Sequence, residues 1–205
     1  MGEVTMGDVP VQGEPLALDL VNTTFVRGGL RGRVVDALCE PEALHDWLAA
    51  HRTELGVTGL ECPAGVSVGE PELRRFQELR QALREALTAE TSGTTWPDAA
   101  VRHINRAAHG ATRWRELSAS APTGSVEVWS TKDWATAALA RVAESGVALL
   151  SGEQRDALRA CRAPGCILFF VQSGPARQWC SSGCGNRVRV ARHANRAKIT
   201  VDDSG

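Results

Sequence analysis

Four of the chain's six cysteines fall between residues 161 and 184, and this cluster constrains the chain more than any other feature. They form two pairs, Cys161-x4-Cys166 and Cys180-x3-Cys184. Thiolates in two close pairs can converge on one tetrahedral cation, and Zn²⁺ is the usual occupant of a closed four-sulfur site. Pro164 and Gly165 supply a turn within the first pair, and Ser181, Ser182 and Gly183 one within the second. The hydroxyls and amides of the second turn are expected to donate to sulfur. Between the pairs, residues 167–171 (ILFFV) predict a strand, residues 172–177 a turn, and Gln178–Trp179 the return strand of a short hairpin. Cys184 is then expected at the start of a helix, where the positive end of the helix dipole favours a thiolate. Knuckle, hairpin and helix make a treble-clef-like zinc finger with one structural Zn²⁺ per chain. A segment this short buries little core, so the metal supplies much of its folding free energy. A mixed site with His193 in place of one cysteine is the alternative. A catalytic zinc would keep an open position with an acid or histidine beside it, and no acid lies between Arg162 and Lys198.

The second pair leads into Asn186, Arg187, Arg189, Arg192, Arg196 and Lys198. On a helix, Arg189, Arg192, His193 and Arg196 share one face. Such a face can meet phosphates and the acceptor edge of guanine. Asn186 could contact adenine or simply cap the helix. The competing reading is a solvated basic face or a protein contact. Net charge of the whole chain is -1, so only its distribution speaks for nucleic acid. Residues 153–205 carry nine Arg/Lys against four Asp/Glu, whereas residues 1–152 carry an acidic excess.

The preceding chain reads as mostly helical. Residues 1–14 are polar and Gly-rich, a loose leader. In PLALDLVNTTF, Asp19 and Asn22 interrupt an apolar helix; they are expected either as buried hydrogen-bonding groups or as the lining of a ligand pocket. RGGLRGR (27–33) is a basic, Gly-rich loop that lacks the Lys-Ser/Thr of a phosphate loop. Helices are predicted from Pro41, from Pro71 and after Pro97. Residues 113–120 and 125–131 alternate as a β-hairpin, with Trp114, Leu117, Val126 and Val128 facing the helices. Ser130 and Ser151 each have capping-box spacing and predict two more helices, to about Leu150 and over 153–160. Cys39 and Cys62 are isolated, small apolar residues rather than nucleophiles. The fold class expected is α+β: a predominantly helical domain with one β-hairpin over 1–152, and the finger over 153–205, which for want of a linker either docks on it or sits on a helix that belongs to both. With no 18-residue apolar run and no secretory signal, the chain is expected in the cytoplasm, where thiols stay reduced.

The run WCSSGCGNRVRVARH resembles the CGNR zinc-finger family, named for Cys184-Gly185-Asn186-Arg187. PLALDLVNT followed by RVVDALCEPEALHDWL resembles the ABATE domain, which precedes that finger in bacterial proteins described as stress-induced transcription regulators. The resemblance implies a sensor domain that takes a small-molecule effector, joined to a finger that binds double-stranded DNA. It places Cys161, Cys166, Cys180 and Cys184 as the zinc ligands. Many members have one more residue within the second pair. The expected function is a zinc-dependent, DNA-binding transcriptional regulator; a zinc-stabilised protein-interaction module is the alternative. No catalytic spacing of His, Cys or carboxylates is present, so an enzyme is not expected. One short helix reads few base pairs, which suggests a homodimer.

Overall fold

A computed structural model of the protein describes residues 5–58, 60 and 68–202, with the backbone alone for Met6 and residues 194–202. Cys62 lies outside the described residues, as do the side chains of Arg196 and Lys198. In chain order the elements are α1 (Leu16–Val21), β1 (Thr24–Arg27), β2 (Arg33–Asp36), α2 (Pro41–Ala50), α3 (Arg52–Leu55), α4 (Glu70–Ser92), α5 (Asp98–Ala108), β3 (Arg113–Leu117), β4 (Ser125–Trp129), α6 (Trp134–Ser151), β5 (Leu158–Ala160), β6 (Phe169–Val171) and α7 (Ser182–Asp202). Each sheet is a two-stranded antiparallel ribbon: β1–β2, β3–β4 and β5–β6.

Helix α4 is the axis of the body. Leu73, Phe76, Leu79, Leu83 and Leu87 recur on one face and are buried, the i, i+3, i+4 spacing of an amphipathic helix. Its start is fixed by Pro71 in the first turn and by Glu72, whose carboxylate accepts from the Gly69 N–H at 3.0 Å. Gly93, at φ +69°, ends it in the left-handed conformation. Helix α6 packs across α4 at Gly146, where a Cβ would come within 2.4 Å of Leu83 Cδ2. Helix α1 is buried along its whole length between α4 and α6. Helices α2 and α5 close the layer, adding Leu44, Trp47, Leu48, Ala100 and Ile104 to one continuous apolar cluster.

A second cluster lies beside the first. It holds Val9, Val11, Phe25, Val35 and Ala37 from the amino-terminal third together with Cys161, Leu168, Phe170, Cys180, Cys184 and Val188. Strand β6 is the wall between the clusters. Successive side chains of a strand point to opposite faces, so Phe169 enters the helical core and Phe170 enters the cysteine cluster.

The α+β class, the helical body and the docked finger stand as the sequence predicts, with several local differences. The expected loose leader is pinned from Val9 onward: Val9 and Val11 are buried, and Glu14 accepts from the Val171 N–H at 2.9 Å while pairing with Arg177. The body carries two hairpins, not one, since residues 24–36 fold back as β1–β2. The β3–β4 hairpin projects, so Trp114, Leu117 and Val126 are exposed. Only its base is covered: Trp129 is buried and its indole N–H donates to the Thr58 carbonyl at 3.0 Å. Asp133, not Ser130, caps α6, accepting from the Ala135 and Thr136 N–H groups. Ser151 ends α6 instead of opening another helix; beyond it the chain makes one 3₁₀ turn and becomes β5. Finally, β6 pairs with β5, with Ala160 opposite Phe169, and not with Gln178–Trp179. The first cysteine pair therefore sits in the turn of the hairpin.

Candidate metal centre and the basic helix

Strands β5 and β6 deliver the first two thiols. The Cys161 N–H donates to the Leu168 carbonyl at 2.8 Å, closing the hairpin just before the knuckle. Inside it, the Cys166 N–H donates to the Ala163 carbonyl at 2.9 Å, and Gly165 takes φ +70°. This is a turn that an L side chain rarely adopts. The second pair comes from the start of α7. The Ser181 hydroxyl accepts from the Cys184 N–H at 3.3 Å, the reach of an N-cap to the third helical residue. Ser181 thus caps the helix rather than donating to sulfur, and Asn186, inside α7, is not the cap.

The four Sγ atoms lie within 4.8 Å of one another. Cys180 and Cys184 are 3.4 Å apart and Cys166 and Cys180 3.7 Å. Zn–S bonds of about 2.3 Å in a tetrahedron require S···S edges of about 3.8 Å, so the cluster is sized for one zinc. Cys161, Cys180 and Cys184 are buried and Cys166 is half-buried. Without a cation the thiols share their protons unevenly. Donation from the Cys166 thiol, then the Cys180 thiol, and the Cys180 and Ala163 amides hold the Cys161 thiol down to about 2. Hydrogen bonding to Cys161 pushes Cys166 up to about 12, and pushes Cys180 up as well, burial adding to both. All four can be thiolates together only with a cation between them. Zinc bound by Cys161, Cys166, Cys180 and Cys184 meets that need, and a closed set of four sulfurs makes it structural. His193 is exposed and stands outside the cluster.

Arg187 turns inward. Its guanidinium donates to the Cys184 sulfur at 2.8 Å. Burial opposes its charge, but the sulfur hydrogen bond and the pull of Cys184, Cys166 and Cys180 outweigh it, and its pKa is raised. One of the five positions expected on the nucleic-acid face is therefore a partner of the metal ligands. This arrangement trims the negative charge of a four-thiolate site. The other side of α7 faces solvent: Arg189, Arg192 and His193 are exposed, while Val188 packs inward with Cys184. Asn186 is exposed and its side-chain oxygen accepts from Arg189.

The finger is bolted to the body by groups that local sequence patterns do not reveal. Asn22 is fully buried. Its amide donates to the Phe169 carbonyl at 2.9 Å and accepts from the Phe169 N–H at 3.0 Å. Arg84 donates to the Val21, Thr24 and Ile167 carbonyls; burial, then the nearby Arg80 charge, lowers its pKa to about 10. Asp19 accepts from the Gly13 and Glu14 N–H groups at 3.1 Å each and lies 3.2 Å from His51 Nε2. It also lines a cavity of about 220 Å³ with Trp47 and His51. A larger open cavity, about 540 Å³, separates the Gln77, Arg80 and Arg84 face of α4 from the Cys161–Cys166 knuckle.

No helix among the described residues is long and apolar enough to cross a membrane. Comparison with curated proteins finds no match. The ABATE family model, described as "Putative stress-induced transcription regulator", matches residues 14–153. The CGNR zinc finger model matches residues 157–197 and so spans all four thiols of the metal centre. The chain belongs to the ABATE family and carries a CGNR zinc finger.

Proposed function

We propose that this zinc-binding regulator acts on double-stranded DNA through the solvent face of α7. The observation that carries the reading is the exposed pair Arg189 and Arg192 on a helix whose first turn is held by Cys184. No acid occurs on α7 before Asp202. Arginines on a helix fixed by a metal centre offer charge-assisted contacts to phosphate at little cost in backbone order. Arg196 extends the same helical face by its spacing. Within this reading Arg187 is a positioning residue, because its donor is spent on the Cys184 sulfur. The zinc is structural, since four thiolates leave no open coordination position for substrate or water, and the proposed role is binding rather than catalysis. Effector sensing, the other half of the proposal, is supported by the cavity beside Cys161 and Cys166, whose volume lies in the range of ligand pockets.

The test is a shift assay of the zinc-loaded protein against a pool of genomic duplex fragments, repeated as salt is raised. Duplex binding at low salt, weakening steeply with salt and reduced in Arg189→Ala and Arg192→Ala, supports the reading. Absence of any bound duplex at low salt overturns it. A partner captured through the finger that survives nuclease and high salt favours a protein-interaction module instead.

A further inference from the structure

The basic segment RGGLRGR (27–33) supplies no ligand to the metal centre. It forms the tip of the β1–β2 hairpin, with Gly28 and Gly29 at φ +98° and +69° turning the chain. This tip is seated on the finger. A Cβ on Gly165, in the cysteine knuckle, would lie 2.5 Å from the Gly29 carbonyl carbon and 2.7 Å from the Leu30 nitrogen. On its other side, a Cβ on Gly29 would lie 3.2 Å from Arg187 Cδ. Glycine at both positions lets backbone pack on backbone. The hairpin tip is thereby fixed against the metal knuckle and the second turn of α7, with Arg187 touching both Gly29 and the Cys184 sulfur.

The charges of the tip are divided. Arg27 is paired with Asp8 at 3.0 Å. Arg31 and Arg33 are exposed and have no carboxylate partner among the described residues. Leu30 and Val34 stand outward beside them, 77% and 66% exposed. Val190, on the neighbouring flank of α7, is 69% exposed. The docked hairpin thus places two unpaired guanidinium groups and a short apolar strip next to the helix. Phosphates would take the first, and sugars or thymine methyl groups the second.

We propose that the β1–β2 hairpin is a second DNA-contacting element that lies alongside α7 and grips the duplex backbone through Arg31 and Arg33. The proposal rests on the DNA-binding reading of α7 and extends that surface into the ABATE body. The Gly29–Gly165 contact holds the hairpin and the helix at one fixed spacing. A single helix reaches few phosphates, and a rigid second element adds contacts without further ordering cost.

The test measures duplex affinity across a salt series for the zinc-loaded full chain, for Arg31→Ala/Arg33→Ala and for Arg189→Ala/Arg192→Ala, with zinc content checked in each. The hairpin double variant should keep its zinc, bind about tenfold more weakly at low salt, and lose about two units from the slope of log K against log salt. Arg31→Lys/Arg33→Lys should restore most of that slope, since lysine also neutralises phosphate. If the hairpin variant matches the wild type in affinity and slope while the α7 variant fails to bind, the hairpin lies outside the contact and the inference is overturned. If the wild type binds no duplex at low salt, the reading of α7 falls first and this one falls with it.

Discussion

The two buried clusters differ in what they are made of. The larger is built from aliphatic and aromatic side chains on α1, α2, α4, α5 and α6, and apolar burial alone can hold it. In the smaller, three of the buried members are cysteines that end at a metal site. The nine apolar residues around them (Val9, Val11, Phe25, Val35, Ala37, Ala163, Leu168, Phe170 and Val188) come from distant parts of the chain. One core is sized to stand on hydrophobic burial, the other on a cation. They are nevertheless not two modules joined by a tether. Phe169 and Phe170 are neighbours in β6 and belong to different clusters. Loss of the metal should therefore be felt on the body side of the wall.

The largest test of this contrast is Cys180→Ser, or removal of zinc by a chelator. Zinc should fall from one per chain to near zero, and the structural free energy at stake is large, since zinc-finger peptides draw about 10–16 kcal/mol from the ion. Hydrogen exchange should speed up in residues 9–37 as well as in 161–188, while the α4 and α6 amides stay protected. If residues 9–37 keep their protection without metal, the clusters are independent and the comparison fails. Asn22→Ala sharpens the same point from the body side. It strands the N–H and carbonyl of Phe169 in a fully buried place, at about 1–3 kcal/mol for each group. Chemical denaturation should show a loss of about 2–4 kcal/mol with zinc content unchanged. A loss within error would mean that Asn22 is not the bolt between the two cores.

The smallest expected effect concerns His51. Its Nδ1 lies 2.8 Å from the Trp47 carbonyl and its Nε2 3.2 Å from Asp19. Two acceptors flank the ring, so it serves both only as imidazolium. Burial works against that charge, but the Asp19 and Trp47 hydrogen bonds outweigh it and raise its pKa above the ordinary 6.5. The folded state then holds a proton that the unfolded chain releases. The stabilisation is fully present below pH 6.5 and is lost as pH rises through the raised folded value. Urea titrations from pH 6 to 8.5 should show stability declining with pH, and His51→Gln should flatten the decline. An unchanged slope in that variant would assign the dependence to other groups.

What the sequence makes legible follows from how local each signal is. The stripe of leucines on α4 and the Pro and Gly at its ends are written in neighbouring residues, and so is the cysteine spacing. The partner of β6 is not. Residues 167–171 announce a strand, but pairing is decided between segments, and the nearest candidate, Gln178–Trp179, lost to Leu158–Ala160. The first hairpin was hidden because its glycines read as a loop. Its strands are only four residues each, and its outward residues include Val34 rather than a clean polar alternation. Asp19 and Asn22 announced themselves as polar groups in an apolar run, yet nothing nearby in sequence could say that Asn22 meets Phe169. The inward turn of Arg187 was equally invisible, because helical spacing sorts faces but does not know that a sulfur lies three residues back within reach.

The Asn22–Phe169 pair also sets a schedule. Its members are 147 residues apart, so at about 5–20 residues per second a ribosome needs roughly 7–30 s to supply the second after the first. Through that interval Val9, Val11 and Phe25 have no core to enter, and Asn22 has no backbone to hold. Helices α4 and α6 can pair as they emerge, but the amino-terminal segment must wait for β6 and the knuckle. The packing around Asn22 can therefore close only after β6, 147 residues further along the chain, has been made.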